Sequence, residues 1–197
     1  MALIAVVAAM DGPKERPDTI AAARSGDLAA FELLMRENER LVLATALRLT
    51  GNLADAQDIS QEVFLRLYKN LGKVQSPGAL PAWLYRVTVN ACHDLRRRRP
   101  APEPMEMAGE PAASDMDAQT SLTQAERRRA LEMSLRLLPE KERAALVLRD
   151  LEGLSTEDVA RILGSSEATV RSQVSKARVK VRDFVERYFL PRKRGQS

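Results

Sequence analysis

The densest arrangement of chemistry-bearing side chains in this sequence is cationic. Between Ser166 and Arg182, a stretch of helical periodicity carries Arg171, Lys176, Arg178 and Arg182 interleaved with Thr169, Ser172 and Ser175. At the turn of an α-helix, Val170, Val174, Ala177 and Val181 collect on one narrow arc. Ala168, Arg171, Ser172, Ser175, Lys176, Val179 and Arg182 are thereby left facing outward, with Arg178 at the margin. Small residues near the start of a helix permit close approach to base edges, and Arg or Lys reaches guanine acceptors or phosphates. The basic character runs on through Arg187 to Arg192, Lys193 and Arg194, which suits neutralisation of a phosphate backbone.

A basic face on an isolated helix is more often merely solvated. What precedes this one argues otherwise. Ser155-Thr156-Glu157-Asp158 reads as a capping-box start, Gly164 stands where a helix end wants a left-handed residue, and Ser166 caps the next helix. Helix, short glycine-containing turn and helix form the helix-turn-helix signature.

Other chemistries lack their residues. Cys92 is the only cysteine and His93 the only histidine. No internal disulfide and no Cys/His zinc cluster follows, and a nucleophile would lack a base at usable spacing. The expectation is a binding protein with no catalytic residue, metal or cofactor, in a reducing, cytoplasmic setting. Met1 to Met10 is apolar but lacks the basic start of a signal peptide and is about half the length that spans a bilayer.

The elements that must position the basic helix are also helical. Glycine and proline punctuate long stretches of 3.6-residue periodicity, and no alternating β-branched run suggests a sheet. The fold class is all-α: two small helical domains joined by a flexible acidic linker. A loose tail over 1–17 precedes a first domain over 18–99, with helices near Asp18–Arg24, Leu28–Thr50, Ala54–Leu71 and Ala82–Arg98. A glycine- and proline-containing loop, Gly72 to Pro81, separates the last two. The segment 100–122 has five acids, no base and too little apolar mass to offset its ordering entropy. A second domain over 123–190 has helices near Thr123–Leu138, Pro139–Leu151, Thr156–Leu163 and Glu167–Phe189, followed by a basic tail over 191–197. The pI near 9.4 favours a polyanionic partner, and the acidic strip parts two basic blocks.

In the first block, Ala56, Ile59, Val63, Phe64, Leu67 and Leu71 make a wide apolar face. Asp58, Gln61, Glu62, Leu65 and Lys69 stay outside, and an acidic face with an exposed leucine suits a protein partner. On the next helix, Arg86 and Arg97 share one side, the helix ends in a cluster that runs from Arg96 to Arg99, and Trp83 reads as core.

The run from Asp55 to Tyr68 (DAQDISQEVFLRLY) and that from Ala82 to Arg99 (AWLYRVTVNACHDLRRRR) resemble region two of the extracytoplasmic-function sigma factors of bacterial RNA polymerase. Leu138 to Arg143 (LPEKER), Glu152 to Leu163 (EGLSTEDVARIL) and Ala168 to Ser172 (ATVRS) resemble region four of the same group. The resemblance covers about Asp18 to Arg187, in the family's order and without a middle domain. It implies a promoter-specificity factor that binds core RNA polymerase and both duplex and single-stranded promoter DNA, held in check by an anti-sigma factor. It assigns Asp55, Asp58, Gln61, Glu62 and Leu65 to core polymerase. Arg86, Asn90, Arg97 and Arg98, with the loop before them, go to the minus-ten element. Ser166, Ala168, Thr169, Arg171, Ser172, Ser175, Lys176 and Arg178 go to the minus-thirty-five element. Gln173 and Ser175 depart from the basic and bulky residues common there, which leaves the sequence preference open. A linker of roughly 22 residues reaches about 70 Å at about 3.3 Å each, comparable with a promoter spacer of about 20 base pairs. The competing reading is a dimeric helix-turn-helix repressor or activator acting without polymerase. It calls for a self-complementary apolar surface, and no heptad seam is present.

Overall fold

A computed structural model describes residues 17–74, 77–98 and 124–189, and every regular element among them is helical. In the first block, α1 spans Pro17–Arg24, α2 Leu28–Thr50, α3 Leu53–Asn70 and α4 Leu80–Arg98; in the second, α5 spans Gln124–Leu137, α6 Glu140–Leu146, α7 Thr156–Leu163 and α8 Glu167–Phe189. The anticipated tail, linker and basic tail fall almost wholly outside the described residues.

Local chemistry explains the boundaries. Asp27 caps α2 by accepting from the backbone N–H groups of Ala29 and Ala30 at 2.9 and 3.1 Å. Gly51 ends that helix at φ +71°, its N–H donating to Leu47 O at 2.8 Å, and Asn52 caps α3 through the Asp55 N–H. The positive φ is what calls for glycine here. A Cβ there would also stand 2.7 Å from Arg136 Nε of α5. The loop anticipated over Gly72 to Pro81 is shorter than expected: 3₁₀ turns occupy Leu71–Lys73 and Pro77–Ala79, and α4 starts at Leu80. Val74 and Leu80 are both buried, so the turn is pinned at each end by apolar contact. In the second block, α6 is followed by a wide π turn, Val147–Leu151, where one continuous helix was expected.

The α2, α3 and α4 helices bury Leu34, Val42, Ala46, Ile59, Val63, Leu67, Leu80 and Leu84 between them. The second core gathers Val147, Leu148, Val159, Val170 and Ala177 from the π turn, α7 and α8. Trp83 packs half-buried against the first core, as a core residue should.

The blocks do not stand apart. The α4 helix packs on α7, and α2 packs on α5, α6 and the π turn. Arg143 of α6, 5% exposed, donates through Nη1 to Leu49 O at 2.6 Å, and through Nη2 to Arg136 O and Leu138 O at 2.8 and 3.0 Å. One guanidinium thus satisfies carbonyls at the C-terminal ends of α2 and α5, one from each block. Burial lowers its pKa to about 10, which still leaves it charged at neutral pH.

Candidate nucleic-acid interface

The pair α7–α8 is built by its caps. Ser155 Oγ accepts from the Asp158 N–H at 3.0 Å, and the Ser155 hydroxyl donates to Asp158 Oδ2 at 2.6 Å. This is a variant of the anticipated capping box, because the carboxylate returns to the hydroxyl. Gly164 closes α7 at φ +60°, and its N–H and that of Ser165 both reach Ala160 O. Ser166 then caps α8, accepting from the Thr169 N–H at 3.1 Å. Three residues separate the two helices, which fixes the angle at which α8 is presented.

Val170, Val174 and Ala177 are buried as the periodicity requires, and Val181 packs half-buried beside them. Ser166, Ala168, Thr169, Arg171, Ser172, Ser175, Lys176 and Arg178 are all exposed. Four of these also have partners within the chain: the Ser166 and Thr169 hydroxyls hydrogen-bond each other at 2.8 Å in the cap. Arg171 lies against Glu167 at 2.9 Å, an exposed i,i+4 pair of little energy that a better acceptor can displace. Arg178 differs. Its Nε and Nη2 bind Asp150 Oδ2 and Oδ1 at 2.7 and 2.6 Å, and the Asp150 side chain keeps only 6% of its exposure. That bidentate bond holds the guanidinium above its usual pKa. On the opposite flank Lys180 binds Glu142 of α6 at 2.8 Å. The two pairs fix the rotation of α8, a positioning role that sequence reasoning missed because the partners lie 28 and 38 residues away.

Beside α8 the structure opens a groove of about 650 Å³, lined by Leu131, Leu146, Leu151, Val174 and Val185 and bordered by Arg149 and Arg182. No local signal announced it, since its walls come from α5, α6, the π turn and α8.

On α4, Arg86, Asn90 and Arg97 are exposed and fall within about 40° of helix rotation, so they form one stripe. Arg98 is exposed but turned aside by about 100° from it. On α3, Asp58, Gln61 and Leu65 are exposed, Leu65 at 61%, and Glu62 is half-exposed in an ion pair with Arg66. Asp55 does not belong with them. It sits in the first turn of α3, 8% exposed, and turns inward. The structure adds Tyr68, 56% exposed and edge-on to Phe31 of α2 with ring centroids 5.1 Å apart, at the border of the same face.

Cys92 and His93 are not brought into a reactive pair. The Cys92 thiol is buried, and desolvation with the nearby Glu140 pushes it up to about 12. Among the described residues no group of three or more His, Cys, Asp or Glu could hold a metal ion. No helix among them is long and apolar enough to cross a membrane.

Comparison with known proteins identifies the family. Residues 34–100 match the family model of sigma-70 region 2, and residues 128–181 match that of sigma-70 region 4. The ECF RNA polymerase sigma factor SigM of Mycobacterium tuberculosis is 35% identical over 175 residues, covering 86% of this chain and 85% of its own length. The chain belongs to the ECF sigma factors. RNA polymerase sigma-H factor of Pseudomonas aeruginosa is 32% identical over 78% of this chain and 84% of its own. The fold is that of the sigma factor RpoE solved in complex with the anti-sigma factor NepR from Bartonella quintana, with a TM-score of 0.63 at 21% identity, covering 81% of this chain and 98% of that one. In this ECF factor α2 to α4 are therefore region 2, and α5 to α8 region 4.

Proposed function

We propose that this ECF sigma factor directs core RNA polymerase to promoters through two separate DNA surfaces and one polymerase surface. The observation that carries the reading is the exposed outer face of α8, presented by a fully capped turn in the same chain as the acidic α3 face and the α4 stripe. On this reading α8 enters the major groove of the minus-thirty-five element. Ala168, Ser172 and Ser175 allow the approach, Arg171 reads bases and Lys176 contacts phosphate. Ser166 and Thr169 contribute chiefly by shaping the helix start, and Arg178 adds charge from a position set by Asp150.

Arg86, Asn90 and Arg97 hold the minus-ten strand, with Arg98 on adjacent backbone and the turn before α4 receiving an extruded base. Asp58, Gln61, Glu62 and Leu65 dock on core polymerase, joined by Tyr68 in place of the inward-facing Asp55. The chain acts by binding, in the cytoplasm with its polymerase, and chemistry stays with the enzyme. An anti-sigma factor is its natural restraint, a proposal supported by the partner named with the structural neighbour. The proposed domains span 18–99 and 123–190, a division supported by the family-model matches over 34–100 and 128–181.

Purified chain added to sigma-free core polymerase on a pool of genomic templates is expected to start transcription at discrete promoters. Absence of promoter-dependent initiation overturns the reading. Binding to palindromic duplex as a dimer, without polymerase, would install the repressor reading instead.

A further inference from the structure

Where the two regions meet, one carboxylate gathers donors from the far side. Glu152 follows the π turn of region 4. Its Oε1 accepts from Thr45 Oγ1 of α2 at 3.1 Å and pairs with the Arg48 guanidinium, and its Oε2 accepts from the Tyr85 hydroxyl of α4 at 3.1 Å. Thr45 is fully buried, Tyr85 nearly so, and the Glu152 side chain keeps 11% of its exposure. None of these bonds is local: the partners lie 107, 104 and 67 residues from Glu152.

The chemistry of the contact is that of a catch rather than a glue. A glue would be apolar, since packed hydrophobic residues hold at least as well as a buried charge and need no matching donors. Here the carboxylate is charge-assisted and satisfied only while both regions are docked. Removing it leaves the Tyr85 and Thr45 hydroxyls in a half-dry interface without their acceptor. Burial and the adjacent carboxylate push the Tyr85 hydroxyl above its usual range, so it remains a donor throughout the physiological pH range. A second polar contact across the same boundary, His93 Nε2 to Glu140 Oε1 at 3.3 Å, lies between α4 and the start of α6.

Docking leaves the outer face of α8 and the Arg86, Asn90 and Arg97 stripe exposed. What it constrains is their separation, which two-element promoter recognition has to match. We infer that Glu152 is an interdomain latch, holding regions 2 and 4 in a closed resting state whose release lets them separate to engage polymerase and promoter. A factor that rests mostly closed binds a two-element target more weakly in proportion to its open fraction. The closed–open equilibrium exists whichever partner the chain serves, and only its consequence for promoter binding rests on the proposed function.

The test uses the full chain with spin labels on Arg36→Cys of α2 and Arg187→Cys of α8, both exposed positions, while buried Cys92 stays unlabelled. Pulsed dipolar spectroscopy is expected to give one narrow distance in this parent. Glu152→Gln and Arg48→Ala should each add a longer, broader population, raising the open fraction about tenfold if about 1.4 kcal/mol of coupling is lost. The double variant should open no further than the more open single one, because both remove one interaction. Glu152→Asp keeps the charge but shortens the reach and should fall between. Unchanged helical circular dichroism separates opening from unfolding.

A Glu152→Gln distribution that superimposes on the parent, or a parent already broad, overturns the latch. With core polymerase, Glu152→Gln should bind a two-element promoter several-fold tighter, and weaker binding overturns the resting-state role. If labels report opening but neither protein supports transcription, the latch stands and the polymerase reading falls.

Discussion

Arg143→Met removes the one guanidinium that joins the ends of α2 and α5 and keeps most of its volume. Three carbonyls, those of Leu49, Arg136 and Leu138, lose a charged donor at 2.6 to 3.0 Å. Hydrogen bonds to a charged group contribute about 1.5–3 kcal/mol each, and a buried carbonyl left without a partner bears its desolvation cost. Relief of the buried charge, whose cost is visible in the pKa lowered to about 10, offsets part of this. The net loss should be about 2–5 kcal/mol, from three carbonyls left without their donor at about 1–3 kcal/mol each less that relief.

Urea unfolding checks it with two probes: far-ultraviolet circular dichroism for all helices, and fluorescence of Trp83, the only tryptophan, for region 2. In the parent the two curves should coincide. In the variant the dichroism should begin to fall before the fluorescence, because region 4 no longer shares the α2 terminus. A variant within about 1 kcal/mol of the parent, with coincident curves, would refute the staple.

Three further outcomes are expected. Arg171→Ala should cost about 1–3 kcal/mol at particular base pairs of the minus-thirty-five duplex, and a loss uniform across sequences, read in a binding competition, would make Arg171 a phosphate contact. Leu65→Ala should weaken association with core polymerase in a pull-down titration while leaving minus-thirty-five duplex binding unchanged, and equal damage to both would refute the division of surfaces. Cys92 gives a pH signature. Its folded pKa, about 12, lies above the unfolded value of 9.0, so the stability it contributes is fully present below about pH 9 and is lost as pH rises towards 12. The urea-midpoint advantage of the parent over Cys92→Ser should therefore shrink over that window, and a constant difference would show the thiol to be solvated.

The surfaces that were legible in the sequence are those made by one helix and its caps. The start at Ser155, the left-handed Gly164 and the cap at Ser166 are decided by residues within three or four positions, so their pattern can be read directly. The outward faces of α8 and α3 follow from periodicity alone. Asp55 escaped that logic, because being acidic and next to an exposed face says nothing about what the first turn of α3 packs against. The π turn escaped too, since its apolar pattern is that of an ordinary helix.

By itself, then, the sequence determined an all-α chain, a capped helix-turn-helix, two basic blocks around an acidic strip, and a family resemblance specific enough to assign both regions. Tertiary structure alone decided that the two regions close on each other. It also decided that Arg143 staples two helix ends, that Glu152 meets Thr45, Arg48 and Tyr85, and that Asp150 aims Arg178. The physical reason is separation along the chain. Caps and faces depend on neighbours a turn away, whereas a guanidinium about a hundred residues from its acceptor finds it only after both cores have packed.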